Sequence, residues 1–185
     1  MAVSEVAICN SALSKIGADR IVSLSDDSRA AKLCNEQYYK VRDALLRAHP
    51  WNFAIHRDTL AQSSTAPDFG FTYAYTLPSD FIRALEVNGN DDPWEKEGIT
   101  IVTDAATCEL YYIREVAVGY FDSSFDELLA IKLAYDLCGD LTTSPTLKST
   151  LYEEYKEALR EARAFDAQEG YVKQVKTRTF LNSRG

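Results

Sequence analysis

The chain has 185 residues, 46% of them hydrophobic, with 28 acidic and 20 basic side chains and a formal charge of −8. That length and apolar share suit one globular domain with a real core, and no run approaches the roughly 20 apolar residues of a membrane span, which argues against a membrane protein. The acidic balance also argues against a protein that grips nucleic acid by its phosphates, because such affinity comes from clustered Lys and Arg.

The opening residues, Met1 to Glu5, lack the basic segment and apolar block of a secretion signal, so the expected place of synthesis and residence is the host cytoplasm. Ser4 and Glu5 begin a first helix in which Val6, Cys9, Leu13 and Ile16 recur every three or four residues until Gly17 stops it. Ile21, Val22 and Leu24 of the connector are expected to tuck beneath the helices. Ser25-Asp26-Asp27-Ser28 then offers several side-chain oxygens to the free amides of a second, longer helix. Its stripe is Leu33, Cys34, Tyr38, Val41, Leu45 and Ala48. Pro50 denies His49 the helical region and removes a donor, so the helix must end there, and Trp51 and Phe53 must find the core. Pro50, Trp51 and Phe53 are therefore the expected structural joint between two layers.

From Trp51 to about Val118 the period becomes extended. Phe71, Tyr73, Tyr75 and Leu77 alternate with smaller or polar residues, a strand with one aromatic face, and Pro78-Ser79-Asp80 turns the chain. A strand from Arg83 to Val87 ends at Asn88-Gly89-Asn90, whose residues tolerate positive φ in a hairpin turn. Trp94 to Lys96, Ile99 to Val102 and Thr107 to Arg114 read as three more strands paired by short loops, and Gln62 to Phe69 as a protruding loop. Ser124 and Glu127 are spaced as a capping box for a third helix. That helix is apolar around most of its circumference, hence the expected central one, and Gly139 to Thr143 is its expected end. Ser144-Pro145 starts the last helix, with Leu147, Leu151, Tyr155, Ala158, Ala162 and Phe165 on its stripe.

Tyr171 to Gly185 shows neither helical period nor caps. It holds Lys173, Lys176, Arg178 and Arg184 with no acid, so the remaining chain carries 16 basic against 28 acidic residues, or −12. A frayed terminus is the plain reading of any last fifteen residues. Tyr171, Val172, Val175, Phe180 and Leu181 are too apolar for it, and together with the contrast of charge they favour docking onto an acidic neighbour.

The expected fold is α+β and mostly α: a four-helix bundle with an inserted small antiparallel β-subdomain and an extended C-terminal arm. Residues 1–50 form a helical hairpin, 51–120 the β-subdomain, 121–170 the second helix pair and 171–185 the docking arm.

Catalytic motifs are absent from the sequence: no nucleophile elbow, zinc-protease helix, phosphate loop or dinucleotide fingerprint. Cys9, Cys34, Cys108 and Cys138 are widely spaced and read as small buried hydrophobes. His49 and His56 have no metal-ligand spacing, and Asp26-Asp27 and Asp91-Asp92 read as capping or solvated acids. No cofactor or metal is expected. A glycan-cleaving pair would have to be built from carboxylates such as Glu97 and Glu109 facing one cleft.

With the order of elements in hand, Ile8-Cys9-Asn10-Ser11-Ala12-Leu13-Ser14-Lys15-Ile16-Gly17, the Ser23-Leu24 connector and the Trp51-Asn52-Phe53-Ala54 exit resemble the opening of the tail tubular protein A family, the head-to-tail adaptors of short-tailed phages. Tyr75 to Phe81, Gly98 to Asp104, Tyr111 to Arg114 and Phe165 to Gly170 are similar to words of related phage proteins. The resemblance implies a non-enzymatic virion component at the head-tail junction, a homo-oligomeric ring of about twelve copies between portal protein and tail nozzle or tail tube. DNA would pass through its channel during ejection without specific binding, and the arm would reach the portal. The alternatives are another phage ring, such as a head or tail completion protein, a tail-associated cell-wall hydrolase, and a DNA-binding packaging factor.

Overall fold

The computed structural model describes residues 4–142 and 144–169; the docking-arm residues Tyr171 to Arg184 lie outside them. The elements are α1 (Glu5–Lys15), α2 (Arg29–Ala48), β1 (Ile55–Thr59), β2 (Tyr73–Thr76), β3 (Phe81–Val87), β4 (Trp94–Glu97), β5 (Thr100–Thr103), β6 (Glu109–Arg114), α3 (Ser123–Leu141) and α4 (Pro145–Gln168).

Three helix starts follow from local chemistry. The hydroxyls of Ser4, Ser28 and Ser144 accept from the amides of Ala7, Ala31 and Leu147, and Pro145 occupies the first turn of α4. At the end of α1, Gly17 takes a φ of +68°, and the amide of Ala18 returns to the Leu13 carbonyl. Asp26 caps the connector instead of a helix, accepting from the amides of Val22 and Ser23. The connector itself is held by Asn10, whose side-chain amide accepts from Ile21 N–H and donates to Ile21 C=O at 2.8 and 2.9 Å. Ile21 is buried as expected, but Val22 points to solvent.

The start of α3 differs from expectation. Its N-cap is Asp122, which makes no side-chain cap, and the Ser124–Glu127 box does not set the first turn. Glu127 instead meets Lys15 of α1 at 2.7 Å, a tertiary partner outbidding a local one. The helix ends at Leu141 with Thr142 as its C-cap, inside the expected Gly139 to Thr143 stretch.

The four helices do not form the expected closed bundle. α3 lies against α1, α2 and α4, while α1 and α2 touch only slightly, so one helix serves as the hub for three. Its nine buried residues, from Phe125 to Cys138, explain why: with apolar side chains on every face it has a face for each neighbour.

The strands make two antiparallel three-stranded sheets, ordered β1-β6-β3 and β2-β5-β4. β1, not distinguished from the sequence, runs Ile55↔Ile113 to Thr59↔Glu109 along β6. β4 and β5 form the expected hairpin, from Trp94↔Thr103 to Glu97↔Thr100, with Gly98 at a φ of +54° in its turn. Asn88-Gly89-Asn90 is not a hairpin turn. All three residues are left-handed, with φ of 48°, 68° and 59°, and they carry the chain out of the first sheet toward the second.

Alternation explains the layering. On β6, Leu110 and Tyr112 face a core of strand residues with Tyr75, Val87 and Ile101, while Ile113 faces the helical core. On β3 irregularities between Phe81 and Arg83 and between Ala84 and Glu86 break the strict alternation, so that Val87 faces the strand core while half-buried Ile82 and Leu85 face the helices. The first sheet is thus a middle layer between helices and second sheet, and the β-region is not one sheet standing beside the helices. Arg42 ties these layers, its guanidinium reaching Glu115 at 2.6 Å and Asp43 at 2.8 Å.

Candidate functional site

Pro50 produces the joint as its chemistry requires: His49 is extended at φ −147° and α2 stops at Ala48. Trp51 then turns inward, only 1% exposed, and its indole N–H donates to the Leu45 carbonyl at 2.9 Å. That carbonyl is among the last four of α2, which have no helical partner, so Trp51 caps the helix it terminates. Its ring centroid lies 4.6 Å from His49, 5.1 Å from Phe125 and 6.1 Å from Phe53. Phe53 continues the cluster to Phe121 and Phe125. The joint therefore locks the exit of α2 to the start of α3.

α4 joins the same cluster through a residue that the periodicity assigned to the wrong face. Phe165 was expected on the buried stripe, but it is 58% exposed, and the next residue, Asp166, is buried at 6%. A one-residue step is about 100° around a helix, and Asp166 continues the line of buried Ala162 four residues earlier. Its carboxylate accepts from the Asn52 amide at 2.7 Å and from His49 Nε2 at 3.0 Å, while the Asn52 side chain donates to the Asp166 carbonyl at 2.5 Å. Only the spatial meeting of residues 114 positions apart reveals this pairing.

Beside the joint, the first turns of α3 and the last turns of α4 enclose an open groove of about 470 Å³. Ala158, Ala162 and Phe165 give it apolar surface, and Asp122, Glu127, Glu161, Asp166 and Glu169 give it negative charge. Burial raises the pKa of Asp122, and the Asp166 carboxylate adds to the effect. Asp126, just beneath, is pushed up to about 6 by burial and by Asp122. Among the described residues, Asp122, Glu161 and Glu169 have no ion-pair partner. An apolar floor under unneutralised carboxylates suits a basic peptide with apolar side chains.

The remaining sequence candidates fall elsewhere. The four cysteines are buried; burial pushes Cys108 up to about 11, and the thiol of Cys34 beside it raises Cys9. His56 packs its ring on Tyr112 at 5.8 Å, and Asp27 pairs with Lys32. Glu97 lies on the second sheet and Glu109 on the first, where it borders a groove of about 540 Å³ with Arg57, Asp58 and Glu86 but without Glu97. The two are not brought to one cleft. No helix of the described residues is long and apolar enough to cross a membrane, and those residues hold no group of three or more His, Cys, Asp or Glu able to bind a metal.

No family model matches this chain, and no curated protein matches it.

Proposed function

We propose that the protein is a structural head-to-tail adaptor of a short-tailed phage, a ring subunit seated between portal and tail through which DNA passes. What supports the reading is where the words of the resemblance fall. Ile8 to Gly17 carries the Asn10 clamp and the end of α1; Trp51 to Ala54 is the joint; Tyr75 to Phe81 leads β2 into β3; Tyr111 to Arg114 is the centre of the middle sheet. These are packing positions, and a protein selected to hold a shape would preserve such words. In this reading the helical layer builds the ring, the strands meet the nozzle or a neighbouring subunit, and the arm from Tyr171 to Gly185 locks onto the portal. A body of charge −12 lining a channel would repel phosphate and let DNA slide.

The test is electron microscopy of the purified protein mixed with its cognate portal, beside a variant lacking residues 171–185. The full chain should add a ring to one face of the portal, and the shortened chain should not. Rings that form equally well without the arm would exclude its portal role, and the absence of any ring would exclude the adaptor.

A further inference from the structure

We infer that in the free subunit the acidic groove between α3 and α4 is the seat of the chain's own basic segment, Lys173 to Arg178. The groove's surface fits such an occupant, with Glu161 and Glu169 at its rim, Asp122 and Asp166 within it and exposed Phe165 on its apolar wall. The segment supplies the matching chemistry: three cations, no acid, Val175 between them and Val172 just before the first.

Length and attachment select this occupant over others. The chain leaves α4 at Glu169, itself a groove residue, so the segment begins at the rim of its seat. Glycine, at position 170, is the residue best able to adopt the left-handed conformation that reverses a chain after a helix. Running back along α4 from Glu169 to Ala158 covers about 16 Å at helical rise. An extended segment of about 3.3 Å per residue places Lys173 near 10 Å and Lys176 near 20 Å from position 170, which spans the groove. A short tether also holds its segment at an effective concentration of order millimolar, above that of a second copy in any dilute solution. The groove's uncompensated charge is negative, and the segment carries the opposite sign.

The inference concerns the unassembled subunit and stands apart from the adaptor reading: failure to form rings would leave it intact, and its own failure would leave portal binding open. The native thiols are buried, so a spin label on a Gln174→Cys variant of the full chain can be confined to that site. With the labelled chain also isotopically enriched, amide signals of Glu161 and Phe165 should broaden, and 0.5 M salt should reduce the effect by about half or more, as screening requires. A Glu161→Gln, Glu169→Gln double variant should reduce it at low salt, where exposed side chains change without touching the core. A mixture of spin-labelled unenriched chains with unlabelled enriched chains reports the intermolecular case. Broadening confined to that mixture would overturn the inference in favour of a second copy, and no broadening in either sample would overturn the seat altogether.

Discussion

Replacing Trp51 by Ala tests the joint most directly. The side chain is 1% exposed and touches His49, Phe53 and Phe125, so its loss removes a large aromatic from a packed cluster at a cost of about 3–5 kcal/mol. Its indole also satisfies the Leu45 carbonyl at 2.9 Å, and orphaning that acceptor adds about 1 kcal/mol. For a chain of this size each kcal/mol lowers Tm by about 2–4 °C, so the expected drop is about 8–24 °C. Thermal unfolding followed by circular dichroism at 222 nm measures it, and urea titration tests whether the m-value is kept. Trp51→Phe separates the two contributions, because it keeps most of the packing and loses the donor; its expected cost is about 1–2 kcal/mol. An Ala variant melting within about 2 °C of the parent would refute the claim that this joint holds α2, α3 and α4 together.

Substitutions at three further positions probe buried and half-buried polar groups. Asp166→Ala strips a charged acceptor from Asn52 and His49 and should cost about 2–3 kcal/mol, whereas Asp166→Asn keeps an acceptor and should cost less; equal melting points for the pair would show that the bonds to Asp166 contribute nothing. Tyr38 is fully buried and its hydroxyl meets no protein group among the described residues, so Tyr38→Phe should leave stability unchanged or raise it by up to about 1 kcal/mol; a loss above that would show the hydroxyl is bonded. Asp126 has a folded pKa raised from 3.8 to about 6, so the folded state binds the proton more tightly and loses stability as pH rises through that window. Asp126→Asn should therefore raise Tm at pH 7 relative to the parent and gain little at pH 4; a gain equal at both pH values would exclude the carboxylate as its source.

Elements set by neighbours in sequence were readable from the sequence, and those set across space were not. Ser4, Ser28 and Ser144 cap as expected because a cap needs only an amide three residues on. The Ser124–Glu127 signal misled because Lys15, more than a hundred residues earlier, takes the glutamate. Strands were visible in their alternation, but Asn88-Gly89-Asn90 permits several chain paths, and which sheet comes next depends on which core each face meets. β1 escaped notice because its residues after Ile55 are exposed and carry no apolar alternation. At the site, Pro50-Trp51 announced the joint by covalent geometry alone. Its polar half did not announce itself, since Asp166 reads as one more acid on a charged helix until Asn52 and His49 are beside it.

The end of α4 gives the groove its energetic meaning. A helix C-terminus favours cations by about 0.3–1 kcal/mol each, yet the last turn of α4 has no basic residue and ends in Asp166 and Glu169. Asp166 is compensated by the Asn52 amide and by His49. Glu169 has no such partner among the described residues, and the same groove is lined by Asp122 at the start of α3 and by Glu161 about two turns earlier on α4. Two acids, Asp166 and Glu169, therefore sit at the unfavourable pole of a dipole, immediately before a stretch whose only charges are positive. Surface carboxylates placed for solubility alone would do better at the other end of the helix. Their position is explained when a cation occupies the groove, and the first cations that follow along the chain are Lys173 and Lys176.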